Sequence, residues 1–373
     1  MQNTPAKPVF VVGSPRSGTS ILTWCLGHHP NLFPLPESNW MGDFAVNVAI
    51  AHQIGSARGD YSVLSAMDIR DDELLAAFGR NINDLILRHR KDLEIKRETK
   101  CIELKLDRRW LDASGTAAGP KTRWVDGTPE YSFHIYGLRK LFPQALFVHL
   151  FRDVQAVVRS MVNFHRVAGF QLVANEEDAY RYWFRTVSAC VTAERAYGPS
   201  VIHRIRYADL IDNAESTMRS LFGFLGEPYT AKCLEPLDER INSSDVPPDS
   251  RSEKPANNSA IMEEACRLST ELEEGILPNT APCAAADELE AAFRERVKYV
   301  AALDDAYQKA QRSIEMSRKS GTLLNPATEP AIYTTGPSAA TLSQQPVADH
   351  ASRDRKESTS QLRQPARPPF QAS

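Results

Sequence analysis

The chain is poor in the features that mark several large protein classes. Its six cysteines (25, 101, 190, 233, 266 and 283) are scattered through 373 residues without a C-x-x-C pair. That leaves no zinc motif and fits reduced thiols in a cytosolic chain. Positive charge is not in excess: 44 Lys and Arg stand against 47 Asp and Glu, a net charge of −3. This balance gives no support to a nucleic-acid partner or to binding at a membrane surface. No apolar run approaches the roughly 20 residues of a membrane span. The opening stretch, Met1 to Lys7, is polar and lacks the apolar core of a secretory signal, so a cytoplasmic location is expected. No internal repeat is visible.

What the chain does have is 42% apolar residues, enough for a sizeable core, and one informative segment near its start. Pro8 to Val12 is a short apolar run that reads as a buried parallel strand. Gly13-Ser14-Pro15-Arg16-Ser17-Gly18-Thr19-Ser20 follows and opens straight into a helix-like segment, Ile21 to His28. Glycines let the backbone bend tightly, so successive N–H groups and a helix N-terminus can face one anion. Spacing alone is weak, because a chain with 18 glycines produces a bare G-x4-G about once by chance. The strand before and the helix after give it weight. The frame is that of a nucleoside-triphosphate loop, yet Thr19 stands where the phosphate-reaching lysine belongs. The fixed positive charge is Arg16. A phosphorylated ligand is expected, without cleavage of ATP or GTP.

Residues 8 to about 230 alternate apolar strands with amphipathic helices, which predicts a three-layer α/β domain with a mostly parallel central sheet flanked by helices. The candidate strands are Pro8–Val12, Thr122–Val125, Ala145–Leu150 and Val201–Arg206, with Cys101–Leu106 as a fifth. Leu74, Leu75, Phe78, Ile82, Leu85 and Ile86 recur at helical spacing behind the acidic start Asp71-Asp72. Further helices are expected over Glu176–Tyr197, over Asn213–Leu225 (stopped by Gly226 and Pro228), and near 259–274 and 286–315. The expected organisation is an α/β domain over 8–245, a loop and helical extension over 246–317, and a tail over 318–373. From Gly321 onward that tail is rich in Ser, Thr, Gln and Pro and is expected to be disordered.

A second segment, Ala145 to Met161, runs a strand out into Arg152-Asp153 and then starts a helix that carries Arg159 and Ser160. A nucleotide-hydrolysing enzyme would place a magnesium-holding acid at such a strand end. Here an arginine leads, where ligands of parallel sheets collect. Ser160 lies eight residues on, about 12 Å along a helix axis, so Arg152 and Ser160 could grip a second phosphate.

Together these segments resemble the family of sulfotransferases that use 3′-phosphoadenylyl sulfate (PAPS). Pro15-Arg16-Ser17-Gly18-Thr19-Ser20 is similar to the family's 5′-phosphosulfate loop, and Arg152 with Ser160 to its 3′-phosphate motif. Arg206-Tyr207-Ala208-Asp209-Leu210 looks like the stretch whose tyrosine lies close to the nucleotide. His29-Pro30 followed by Pro36-Glu37-Ser38 resembles the branch that includes protein-tyrosine and many bacterial sulfotransferases. The resemblance spans about 8–245. It implies a P-loop-like fold, PAPS as sulfuryl donor and no metal. Arg16, Ser17, Gly18, Thr19, Ser20, Arg152, Ser160 and Tyr207 would bind the nucleotide. Arg16 would also stabilise charge on the leaving oxygen, and Glu37 would be the general base.

On the residues alone, a glutamate in a Pro-rich loop is usually solvated, and His28, His29 and His149 compete with it as bases. His149 falls mid-strand, as core histidines do, and His28 and His29 fit a helix C-terminus. For Glu37 to serve, its pKa must rise from about 4.3 toward neutrality, which burial beside Phe33 and Trp40 could bring about. Where the family often has E-K-T-P, this chain has Asp126-Gly127-Thr128-Pro129, so the lysine is absent. The basic loop over the 3′-phosphate is not recognisable, although Arg251 and Lys254 stand in the right region. Trp183 fits the core better than the nucleotide site, and Arg185 either. Two other readings remain: a P-loop kinase or NTPase that lacks the usual lysine, and a non-catalytic nucleotide-binding protein. The acceptor, a hydroxyl or amine on a small molecule, carbohydrate, lipid or peptide, would meet loops within 38–70 and 163–180.

Overall fold

The computed structural model describes residues 7–103, 121–237, 260–277 and 280–319. In chain order the elements begin with β1 (Val9–Val12), α1 (Thr19–Gly27), β2 (Leu32–Pro34), α2 (Met41–Ser56), α3 (Val63–Ala66) and α4 (Asp71–Glu103). They continue with β3 (Arg123–Asp126), α5 (Ile135–Leu141), β4 (Leu146–Phe151), α6 (Val154–Val162), α7 (His165–Ala168) and α8 (Glu176–Tyr197). The last are β5 (Ile202–Arg206), α9 (Tyr207–Asp212), α10 (Ala214–Leu225), α11 (Ala260–Glu273) and α12 (Pro282–Lys319). Short 3-10 helices cover Pro129–Phe133 and Ala231–Leu237.

The five strands form one sheet in the order β2-β3-β1-β4-β5, and every pairing is parallel. β1 is central, with Val12 opposite His149 of β4 and Phe10 opposite Asp126 of β3. It is fully buried on both faces, as expected of a strand covered by helices on each side. Alternation along β1 divides the core. Phe10 and Val12 join Trp124, Phe147 and residues of α2, α4, α5 and α8. Val9 and Val11 join Leu22 and Leu26 of α1 and Met218, Leu221 and Phe222 of α10. A third cluster packs α6 and α8 against α11. The three-layer α/β arrangement is therefore as the sequence predicts.

One local expectation fails and one strand is unforeseen. Cys101–Glu103 is the end of α4, not the start of a strand; an existing helix gains a hydrogen bond with each added residue, whereas a strand needs a partner edge. The rest of that proposed strand lies outside the described residues, as do Arg251, Lys254 and the tail expected to be disordered. β2, three residues among prolines, has no sequence signal of its own; it is an edge strand, where proline is tolerated. The chain divides after Val300 into two units. The described part of the second unit is the helical stretch 301–319, whose Leu303 and Tyr307 are exposed.

Candidate active site

A parallel sheet points all its strands the same way, so their carboxyl ends share one edge. Each of the five delivers candidate residues there: Glu37 after β2, Asp126 and Thr128 at β3, the 13–18 loop after β1, Arg152 after β4 and Tyr207 after β5. The chain runs from β1 toward one edge of the sheet and returns for β4, which makes the β1–β4 boundary the switch point.

The loop after β1 is held close to the sheet. Gly13 has φ +144, and a Cβ there would lie 2.4 Å from the carbonyl oxygen of Leu150, so the backbone has no room for a side chain. Its N–H donates to Ser132 Oγ at 2.9 Å, and Ser132 Oγ donates to the Pro129 carbonyl at 2.7 Å. Ser17 N–H closes a turn onto Ser14 O at 3.1 Å. Arg16 sits at φ +71, a left-handed conformation that a non-glycine residue adopts rarely and chiefly at functional sites. Gly18 occupies the N-cap of α1 and brings no side-chain acceptor to its first N–H groups, which leaves them aimed at the loop's mouth. Ser17 Oγ is buried with no partner among the described residues. A buried hydroxyl in that state marks a place where a ligand oxygen would be accepted.

The second cluster reaches the first. Arg152 Nη1 donates to the carbonyl oxygen of Arg16 at 3.1 Å, and Arg16 Nε donates to Ser160 Oγ at 3.0 Å. Ser160 is buried on α6. The Arg152 guanidinium lies over the Tyr207 ring at 4.3 Å, and Tyr207 packs against Gly18. Arg16 lies over Phe164 at 4.7 Å. Burial, and then the charge of Arg152, holds the Arg16 pKa below its usual value. Burial also lowers Arg152, with Arg159 adding repulsion. Guanidiniums crowded in this way favour an anion among them. Asp153 does not pair with Arg152; it caps α6 by accepting the Ala156 N–H at 2.9 Å. Trp183 is fully buried and also fastens the site, donating Nε1–H to the Arg152 carbonyl at 3.1 Å.

The opposite wall is acidic. Glu37 Oε1 accepts from Ser20 Oγ at 3.4 Å. Glu37 as a whole residue is exposed, yet protein packed around its carboxyl desolvates it. Burial pushes its pKa up to about 7, with Glu130 and then Asp126 adding to the rise, while the Ser20 bond and Arg16 oppose it. Trp40, expected to help bury it, is 44% exposed and packs edge-on against Phe44. Glu130 is raised by burial too.

The competing histidines have structural partners. His28 Nδ1 bonds the Trp24 carbonyl at 3.0 Å and His29 Nε2 the Pro228 carbonyl at 2.9 Å. His149 is fully buried on β4, with Nδ1 2.5 Å from Glu194 Oε1. The absence of a lysine at position 127 has a steric reason: a Cβ on Gly127 would lie 2.1 Å from Thr23 Oγ1. The sequence alone shows no sign of Glu130, Ser132 or Phe164, and it places Arg159 on the helix after Arg152 without assigning it a role. Arg185 lies over the Phe133 ring at 5.6 Å. Among the described residues no group of three or more metal-ligating side chains occurs, and no helix is long and apolar enough to cross a membrane.

Comparison with known proteins bears on this geometry. The model of a family described as the sulfotransferase family matches residues 8–231. The omega-hydroxy-beta-dihydromenaquinone-9 sulfotransferases Stf3 of Mycobacterium tuberculosis and Mycobacterium bovis are 30% identical over 112 residues, which cover 26% of this chain and 27% of theirs. The chain thus spans about a quarter of the length of these curated relatives. Among solved structures, the sulfotransferase domain of the Synechococcus PCC 7002 olefin synthase matches with TM-score 0.41 and 17% identity, covering 73% of this chain and 98% of that one. Sulfotransferase STF9 of Mycobacterium avium matches with TM-score 0.34 and 16% identity, covering 79% and 77%.

Proposed function

Since the chain belongs to the sulfotransferase family, we propose that it moves the sulfuryl group of PAPS to an acceptor hydroxyl or amine, with Glu37 as general base. The observation that carries the reading is the convergence of two motifs far apart in sequence: Arg152 on the backbone of Arg16, and Arg16 on Ser160. A donor with phosphates at both 3′ and 5′ positions asks for two such cationic clusters side by side. ATP does not.

The residues fit the donor. Arg16, the buried Ser17 hydroxyl and the N–H groups of Gly18 to Ser20 suit the 5′-phosphosulfate. Arg152 and Ser160 suit the 3′-phosphate, and Tyr207 braces Arg152 from below. Transfer is an in-line displacement: the acceptor oxygen or nitrogen forms its bond to sulfur while the bond from sulfur to the 5′-phosphate oxygen breaks. Arg16 and the loop dipoles stabilise the charge that grows on that oxygen. The acceptor's proton passes to Glu37, which stands across from the loop and close enough to feel the Arg16 charge. The relatives named for an omega-hydroxy dihydromenaquinone put a lipid hydroxyl among the acceptors to try first.

Mass-spectrometric screening for an added sulfuryl group, with PAPS and panels of lipid, carbohydrate and small-molecule acceptors, tests the reading. Transfer by wild-type protein is expected. Glu37→Gln should bind 3′-phosphoadenosine 5′-phosphate normally while turnover falls about 100-fold or more. Normal transfer by Glu37→Gln would give the base to another group, and nucleotide binding without transfer to any acceptor would leave a binding protein.

A further inference from the structure

The segment that carries Glu37 is fastened at its next residue. The Ser38 backbone N–H donates to Thr128 Oγ1 at 2.9 Å. Thr128 Oγ1 in turn donates to Asp126 Oδ1 at 2.7 Å, and the Thr128 N–H donates to the same oxygen at 3.0 Å. A second tie joins Ser38 Oγ to Tyr131 OH at 2.5 Å, and that phenol oxygen also accepts the Met41 N–H at 3.0 Å. Asp126 and Thr128 are fully buried and Tyr131 almost so. Between Ser38 and Met41, both held by Tyr131, the chain turns through Asn39 at φ +57. A non-glycine residue keeps that conformation when its surroundings hold it there.

By contrast, among the described residues the carboxyl of Glu37 makes one long hydrogen bond, 3.4 Å, to the exposed Ser20 hydroxyl. Its placement therefore depends on the backbone that carries it more than on its own contact. Thr128 is suited to hold that backbone. A hydroxyl can accept from Ser38 and donate to Asp126 at the same time, which no apolar side chain can do.

We infer that the hydrogen-bond chain Asp126–Thr128–Ser38, braced by Tyr131, positions Glu37 for proton removal from the acceptor, with Asp126 and Thr128 as positioning residues. The inference rests on Glu37 being the base. Thr128→Val keeps the shape of the side chain but removes one of the two hydrogen bonds to the buried Asp126 Oδ1 and leaves the Ser38 N–H without its acceptor. The Glu37 segment is then free to shift, and a shift of about 1 Å costs about 100-fold in rate.

The test measures kcat, KM for the donor and affinity for 3′-phosphoadenosine 5′-phosphate in wild type, Thr128→Val, Thr128→Ser, Glu37→Gln and the double variant. Thr128→Val should lower kcat about 10- to 100-fold, with nucleotide affinity changed less than about twofold. Thr128→Ser should restore most of the rate. In the Glu37→Gln background, Thr128→Val should change the residual rate less than about twofold, because the group it positions is gone. A normal rate in Thr128→Val beside a slow Glu37→Gln would overturn the positioning role and leave the base in place. A normal rate in Glu37→Gln would overturn the base and the positioning role together. Equal losses from Thr128→Val in both backgrounds, or a parallel loss of nucleotide affinity, would make Thr128 purely structural. If Thr128→Val fails to fold, Tyr131→Phe takes its place: it removes one hydroxyl, keeps the ring, and is expected to lower kcat without weakening nucleotide binding.

Discussion

At Glu37, desolvation by the surrounding protein and then the charge of Glu130 raise the pKa of an ordinary carboxyl to about 7. In its proposed role as base Glu37 works only when deprotonated, so the rate should rise with pH through about 7 and fall tenfold per unit below it. Glu130 contributes to that rise by charge repulsion, so Glu130→Gln should move the acid limb of the pH–rate profile to lower pH. An acid limb that stays in place in Glu130→Gln would show that burial alone tunes the base. At the same sheet edge, Arg16 is crowded by burial and by the charge of Arg152, and Arg152 by burial and by the charge of Arg159. An anion held among these guanidiniums would offset that crowding of like charge.

At the scale of elements, the turn from β1 into α1 brings the loop within reach of the carboxyl end of β4. Gly13 makes this approach possible, since its Cβ position falls 2.4 Å from the Leu150 carbonyl oxygen. Backbone cannot yield as a flexible side chain can. Gly13→Ala is expected to destabilise the fold by about 1–3 kcal/mol and to weaken nucleotide binding, read by thermal unfolding with and without ligand. Unchanged stability would mean that the β1–β4 edge relaxes freely. α6 contributes in a different way. Asp153 caps it, Trp183 holds the Arg152 carbonyl before it, and Ser160 faces the loop from its last turn.

For the whole molecule, the parallel sheet gathers the ends of five strands on one edge, cations toward β1 and β4, acids toward β2 and β3. Because the residues proposed to bind phosphate come from β1, β4, β5 and α6, a ligand that bridged them would tie these elements together. At about 100 times its Kd, 3′-phosphoadenosine 5′-phosphate should add about 2.7 kcal/mol of stability, and it should do so without magnesium. ATP should add little. Stabilisation by ATP that requires magnesium, with none by the bisphosphate, would favour a kinase-like or NTPase-like site.

The sequence by itself determined what depends on neighbours along the chain. The buried strand Val9–Val12, the glycine loop, the start of α1 and the extent of α8 follow from periodicity, capping and glycine chemistry within a few residues. The place of Arg16 in the loop, of Arg152 at a strand end and of Ser160 on the following helix follows from the same local patterns. Tertiary structure alone decided which distant groups meet. No local pattern could place Glu130 beside Glu37, bond Arg16 to Ser160, or run a hydrogen-bond chain from Asp126 to Ser38, because these contacts join residues up to 144 positions apart. Nor could it exclude a side chain at 127, where the limit is Thr23 on another element. Short-range physics fixes backbone conformation; the electrostatics of a site arise from long-range packing, where charge and burial act through space.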